Sequence, residues 1–399
     1  MINPLVIKKK TALTDNRAVK NKLLIKLPTR PADRFLLSAI IVLVVVGLFC
    51  LASSSSVVAY TRFGDTYYWL KKQLVSAFIG LAGFYVFSRI DYTKWQKWGG
   101  GFLIVSVGFL LAVFTPLAVE QSGSRAWLNI FGFSLQPAEF VKLFLLIYLS
   151  AVMAKMLACQ HAEEKKRLNT SFWVVLGIIS VLVLAQPDLG TLLIIMATSM
   201  VVYLLGGGRW KTVLTLAAIG VVALTAYVFL KGGYQKDRFL CVLKPGYSPE
   251  KSCYQINQSL IAIGSGGFWG RGLGESRQKY LYLPEVQNDF IFSVIAEELG
   301  WWFALIIIGL YYAIFYRGYQ VAKAAPDAFG QILAGGIVSG LLIQVIINLG
   351  GTINLFPMTG VPLPLVSYGG SSLMSWLFSL GILVNISRRA QLPDNLTEI

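Results

Sequence analysis

Apolar residues in this chain gather in long unbroken runs, not in the alternating or every-third-residue patterns of a water-soluble core. Runs at 35–56, 73–90, 99–119, 137–157, 171–187, 189–207, 212–231, 289–315, 329–350 and 372–387 come close to or exceed the ~20 residues a helix needs to cross a bilayer. They predict an all-α polytopic membrane domain over 35–387, with about ten transmembrane helices. Residues 1–34 read as a disordered basic tail, and 388–399 as a second short tail. Four segments share one side of the predicted membrane: 120–136, the turn at 186–191, the long loop 232–288 between spans seven and eight, and 351–371. The last is apolar but broken by Pro357, Gly360, Pro362, Pro364, Gly369 and Gly370. Irregular backbone at membrane depth persists only where protein or a watery cavity satisfies its amides, so these segments predict an outward-facing cavity.

Charge sets the orientation. The sequence is 56% hydrophobic and only 14% charged, against about 25% charged residues in soluble domains. Its net charge of +16 comes from bases that flank the spans, which argues against a nucleic-acid partner. With the N-terminus inside, 22 Lys and Arg fall on inner segments, nine of them in the basic tail. The short outer loops hold few, and the long loop 232–288 belongs to the class that obeys the positive-inside rule poorly. Both termini are therefore expected in the cytoplasm. No short apolar core with a small-residue cleavage site marks a signal peptide.

Elimination narrows the chemistry. The single histidine, His161, lies on the inner side, so an outer Ser-His-Asp triad or histidine-rich zinc site is not expected. No Walker loop is present. Outer carboxylates and bases remain. Asp289 follows Pro284-Glu285 and begins a span, where a helix N-terminus favours an ionised carboxylate; an N-cap and a catalytic base are both open to it. Glu139 and Lys142 lie three apart on one helix face and suit an intrahelical ion pair. Glu297 and Glu298 sit in an apolar run and require partners, Lys142 being one candidate. Arg125 suits a phosphate, and Trp127 suits a sugar face or the membrane interface. Arg271, Arg277 and Lys279 form a further outer basic cluster. Cys241 and Cys253 share the long loop. They are either two free thiols or a disulfide, which an oxidising compartment permits and which is worth about 3 kcal/mol in the chain-entropy model.

Six motifs in order carry a resemblance: GSRAWL (123–128) with LQPAEFVK (135–142), QPDLGT (186–191), YQINQSLIAIGSGGFWGRGLGESRQK (254–279), YLPEVQNDFIF (282–292), EELG (297–300) and PMTGVPLPLVSYGGSS (357–372). They resemble the bacterial SEDS family of shape, elongation, division and sporulation proteins over nearly all the spans. The G-L-G-x-S-x-Q-K form at 272–279 is closer to division-type than to elongation-type members. The family aspartate in H-T-D-F-I-F corresponds to Asp289, preceded here by Gln287 and Asn288. Its P-S-E appears as Pro137-Ala138-Glu139, and its paired arginines before tryptophan as Arg125-Ala126-Trp127, with one base missing.

The resemblance implies a peptidoglycan glycosyltransferase that polymerises lipid II onto an undecaprenyl-pyrophosphate-linked strand, with Asp289 as general base. Arg125, Trp127, Lys142, Lys279 and Glu285 are the expected substrate-binding residues. Glu139, Glu297, Glu298, Ser367, Gly369 and Gly370 are the expected supports. A divalent cation, Mg²⁺ or Mn²⁺, is the one cofactor weighed, and no metal ligands are assigned. A class B penicillin-binding protein and other division proteins are the implied partners, in the bacterial cytoplasmic membrane at the septum. A lipid II flippase and a non-catalytic division scaffold are the alternatives.

Overall fold

The computed structural model describes residues 31–116, 118–121, 124–130, 133–231, 233–244 and 253–390. Most of the basic tail, the end of the C-terminal tail and residues 245–252 of the long loop lie outside them. The helices are α1 (Arg34–Ser54), α2 (Ser56–Phe63), α3 (Tyr68–Arg89), α4 (Tyr92–Ala112), α5 (Pro137–Ala158), α6 (Ala162–Leu184), α7 (Leu189–Leu205), α8 (Trp210–Lys231), α9 (Gly233–Leu243), α10 (Tyr254–Ser265), α11 (Ile291–Ala324), α12 (Ala328–Thr352) and α13 (Gly370–Ser387). Each predicted span overlaps one of them, and seven are long and apolar enough to cross a membrane: α1, α3, α5, α6, α11, α12 and α13.

Three differences from the predicted pattern have local causes. The third predicted run corresponds to α4, which begins at Tyr92 and ends at Ala112, so it sits about two turns earlier than 99–119. Its start is fixed by Asp91, whose carboxylate caps the Thr93 N–H at 3.0 Å. The segment after it is not irregular. It forms an antiparallel sheet of β1 (Ala118–Gln121), β2 (Ser124–Ile130) and β3 (Phe133–Leu135), with Val119 opposite Trp127 and Asn129 opposite Ser134. A fold expected to be all-α therefore carries one small sheet, made of strands too short to show a periodicity. The long loop 232–288 likewise contains α9 and α10.

A continuous core runs through α1, α3, α5, α11, α12 and α13. Small residues bring α3 and α13 into close contact: a Cβ on Gly381 would lie 2.7 Å from the Phe84 carbonyl oxygen. One end of this bundle is laced by polar side chains. Arg317 pairs with Asp33 at 2.7 Å and Arg389 with Asp91 at 2.7 Å. Asn385 accepts from the Tyr92 N–H and donates to the Ser88 carbonyl, and Tyr92 donates to Asp327. These residues start α1, α4 and α12 and end α3, α11 and α13. The opposite end of the bundle gathers the sheet, the turn before α7 and the 351–371 segment.

Candidate active site

α11 is the frame of the site. Its 34 residues are two helical pieces joined at Gly300, whose φ of 79° is open to glycine at little cost. The break is filled by the chain after α10. The N–H groups of Arg271 and Gly272 donate to the carbonyls of Glu297 and Glu298, each at 2.9 Å, and Trp301 and Trp302 donate to Gly267 and Phe268. The main-chain groups released by the break thus find partners inside the protein, as apolar surroundings require. The contact is backbone on backbone: a Cβ on Gly300 would meet the Phe268 oxygen at 2.2 Å.

Glu297 and Glu298 hold this junction. Glu297 is 1% exposed and accepts from the Ser276 hydroxyl at 2.5 Å and from the N–H groups of Arg277 and Gln278. Glu298 pairs with Lys279 at 2.8 Å and accepts from Ser53 of α1 at 2.6 Å. Lys279, expected as an outward phosphate-binding cation, is instead a buried partner of Glu298, because a charge in the bundle must be paired. Lys142 is not the partner of either acid. It lies between Glu139, at 2.9 Å, and Gln344, at 2.8 Å, below the outer surface.

From this junction the upper piece of α11 rises to Asp289. The N-cap of α11 is Phe290, so Asp289 does not cap it. No hydrogen bond from the described residues reaches its carboxylate. Desolvation by burial, followed by the nearby Glu285 carboxylate, pushes the Asp289 carboxyl up to about 7, against a smaller opposing effect from Arg238. The backbone is held instead. Asn348 of α12 donates to the Asp289 carbonyl at 3.1 Å and to the Val361 carbonyl at 2.8 Å, and the Tyr368 N–H donates to the Gln287 carbonyl at 2.8 Å. Gly360 faces the acid: a Cβ there would lie 3.7 Å from Asp289 Oδ2. The two residues that replace the family His-Thr pair both turn to Glu285. Asn288 Nδ2 donates to it at 2.6 Å and Gln287 Nε2 at 3.3 Å.

The 357–369 strap is pinned from below. Gln344 Nε2 donates to the Pro362 carbonyl at 2.9 Å, while its Oε1 accepts from Lys142 and from Trp376. Gln73 of α3 donates to the Ser367 carbonyl at 3.1 Å and accepts from the Gly369 N–H at 3.2 Å. The Ser367 hydroxyl accepts from the Leu363 N–H, and Gly370 lies where a Cβ would meet the Ser76 hydroxyl at 2.5 Å. Three separated motifs meet beside it: the Gln136 N–H donates to Ser371, and Gln136 Nε2 donates to Asp188, which caps α7 through Thr191.

Arg125 and Trp127 sit on β2. Arg125 is exposed and donates to the Thr115 carbonyl at 3.2 Å; Trp127 is half-buried. Neither shares a hydrogen bond or ion pair with the Asp289 segment among the described residues. The cation that acts on Asp289 is Arg238 of α9, which also donates to the Met358 carbonyl at 2.8 Å. Sequence reading passed over it as one of several loop bases. The signal was available: Cys241 lies one turn further on, and its disulfide to Cys253, with a Cα–Cα distance of 5.6 Å, folds α9 back onto the start of α10.

The arrangement offers a carboxyl raised towards neutral pH with no donor to it among the described residues, a cation that acts on it, and backbone anchors on its segment. Such a group is suited to take a proton from a hydroxyl.

The profile of the FtsW, RodA and SpoVE cell cycle protein family matches residues 34–392. Stage V sporulation protein E of Bacillus subtilis is 37% identical over 363 residues, spanning 89% of this chain and 97% of that protein. A protein of Trichlorobacter lovleyi named "Probable peptidoglycan glycosyltransferase FtsW" is 38% identical over 362 residues, 89% of this chain and 93% of its own. Among solved structures, a chain of a peptidoglycan synthase complex, studied for its coordination of polymerization and crosslinking, superposes with a TM-score of 0.73 at 29% identity, covering 90% of this chain and 99% of that one. The rod shape determining protein RodA of Thermus thermophilus superposes with a TM-score of 0.65 at 25% identity, covering 91% and 98%.

Proposed function

The chain belongs to the FtsW, RodA and SpoVE family of cell cycle proteins, and from that premise we propose that it is a peptidoglycan glycosyltransferase of septal wall synthesis. It polymerises lipid II into β-1,4 glycan strands at the outer surface of the cytoplasmic membrane, through about ten spans with both termini inside. The donor is the growing strand, joined at its reducing end to undecaprenyl pyrophosphate. The acceptor is lipid II, whose sugar 4-hydroxyl attacks the donor's anomeric carbon.

Asp289 takes the hydroxyl proton as the new bond forms and the pyrophosphate leaves from the opposite face, so the anomeric centre inverts. Pyrophosphate departs without a proton, so one base is enough; a glycosidase needs a second carboxylic acid for its leaving oxygen. Arg238 is the cation we assign to the phosphate charge, with Arg125 on the sheet as a second contact for the lipid-linked headgroup. Lys142 and Lys279 act as supports through their ion pairs. No three Asp, Glu, His or Cys side chains converge among the described residues. No step is assigned to a divalent cation. The structural likeness to a chain of a complex that polymerises and crosslinks peptidoglycan supports a penicillin-binding transpeptidase as partner.

The observation that carries the reading is the Asp289 carboxyl, raised to about 7 and without a hydrogen bond from the described residues. The test is polymerisation of lipid II in detergent by the purified chain, alone and with its transpeptidase. Wild type should yield glycan polymer, and Asp289→Asn should lower the rate about 10²–10⁴-fold, the usual worth of a general base. Full activity in Asp289→Asn removes the acid from the mechanism. No polymer from wild type with its partner leaves a flippase or a scaffold.

A further inference from the structure

Two side-chain amides stand one turn apart on α12 and hold consecutive carbonyls of the strap. Asn348 donates to Val361 at 2.8 Å, and Gln344 donates to Pro362 at 2.9 Å. Asn348 also reaches the Asp289 main chain. Gln344 instead joins the strap to α5. Its Oε1 accepts from Lys142 Nζ at 2.8 Å and from Trp376 Nε1 at 3.2 Å. Lys142 is held in turn by Glu139 at 2.9 Å. A line of polar contacts thus runs from an ion pair on α5, through one amide on α12, to the strap. Gly360 of that strap faces the acid, with a Cβ there 3.7 Å from Asp289 Oδ2.

The chemistry of the partners leaves this amide one orientation. An ammonium and an indole N–H only donate, and a prolyl carbonyl only accepts. The Gln344 oxygen must face Lys142 and Trp376, and its nitrogen must face Pro362. Gln344 is 0% exposed, so water does not stand in for any of the three.

The strap needs such a hold. Leu365 has a φ of 65°, a conformation that a residue with a side chain keeps only where its surroundings enforce it. The turn lies against α1, where a Cβ on Gly47 would meet the Leu365 carbonyl oxygen at 2.4 Å. Tyr311 of α11 donates to the Pro364 carbonyl, and Gln73 of α3 donates to that of Ser367. Gln344 fastens the arm before the turn, the one that leads back to Gly360 and the acid.

We propose that Gln344 is a positioning residue for Asp289, through which the Glu139–Lys142 ion pair sets the distance between strap and acid; the inference rests on the glycosyltransferase reading above. Lys142, which the sequence suggested as a substrate-binding cation, then acts on the reaction at one remove. Its ammonium fixes the amide, the amide fixes Pro362, and Pro362 lies two residues from Gly360. Loss of any member lets the strap recede from the acid. A reacting geometry displaced by about 1 Å loses about 10²-fold in rate.

Two measurements on the full-length chain test it. The first is the kcat and KM of lipid II polymerisation with the transpeptidase partner. Gln344→Met keeps the side-chain length and loses all three hydrogen bonds. It should lower kcat about tenfold to a hundredfold and leave KM within about twofold. Glu139→Gln with Lys142→Met removes both charges together. It should lower kcat by a similar factor, again with KM held, and adding Gln344→Met should lower it no further. The second measurement needs no activity: hydrogen–deuterium exchange of the 357–369 segment should quicken in these variants, while that of α4 stays as in wild type. Should Gln344→Met fail to fold, Trp376→Phe removes one donor to Oε1 and should move kcat and strap exchange in the same direction.

Wild-type kcat and strap exchange in Gln344→Met, or in Trp376→Phe where it replaces it, overturns the proposal. Losses that multiply in the triple variant, or a KM that rises when the charge pair is removed, overturn it too and place Lys142 on the substrate. Faster strap exchange in the variants, with no polymer from any form including wild type, keeps Gln344 as the anchor of the strap and removes the polymerase reading.

Discussion

Asn348 holds Asp289 by its main chain. One side-chain amide donates to the carbonyl of Asp289 at 3.1 Å and to that of Val361 at 2.8 Å, which fixes the distance between the acid and the strap that faces it. Asn348 is 1% exposed, so water does not replace it. Asn348→Ala strips two carbonyls of their donor, at about 1–3 kcal/mol of stability. Because the acid then moves against the sugar hydroxyl, kcat should fall about 10²-fold while KM changes little. Asn348→Asp should be worse, since it adds a charge beside a carboxylate. A kcat loss matched by an equal rise in KM would assign Asn348 to substrate binding instead.

The pH profile follows from Asp289. A base must be ionised, so the rate should fall as pH drops below an apparent midpoint of about 7. Stability runs the other way. The folded carboxyl is raised from 3.8 to about 7, so the fold favours its protonated form. That contribution is fully present below pH 3.8 and is lost as pH rises towards 7. Asp289→Asn should therefore melt higher than wild type at pH 8 and close to it at pH 4, as read by thermal unfolding in detergent.

Arg238 opposes the rise at Asp289, and its helix is tied by the Cys241–Cys253 disulfide. Arg238→Gln should shift the acid limb of the rate profile to higher pH and weaken substrate binding. Cys241→Ser with Cys253→Ser releases α9 and should destabilise the outer segment by about 3 kcal/mol. The same direction of shift in both variants would show that the disulfide works through Arg238. A pH profile that stays in place in Arg238→Gln would separate the cation from the acid.

Lys279 and Glu298 form a pair that is 3–4% exposed, and removing one member strands a charge. Lys279→Met should cost about 3–5 kcal/mol, and Lys279→Met with Glu298→Leu should recover much of it. If the double variant is stable and still polymerises lipid II, Lys279 is a support. If it is stable and inactive, Lys279 touches the phosphate after all.

The long helices were legible because a bilayer demands long apolar runs, and each predicted run overlaps a helix. Asp289 stood out because it lies between a polar loop and such a run. The misplaced third span shows the limit: Asp91 sets the start of α4, and no property of an apolar window records a cap. The partners of the bases were hidden for a different reason. Lys279 lies nineteen residues from Glu298, and the break at Gly300 brings them together. Arg238 was hidden by a disulfide that sequence left open, and the sheet at 118–135 by strands of only a few residues.

Asp289 owes its place to carbonyl anchors, its own to Asn348 and that of Gln287 to Tyr368. Neither anchor consults the identity of the side chains at 287 and 288. A polar pair unlike the family's own can therefore occupy those positions without shifting the carboxylate. The address is written in the main chain, and what drifts around it is the tuning: how Glu285 is oriented, and so how readily the acid gives up its proton.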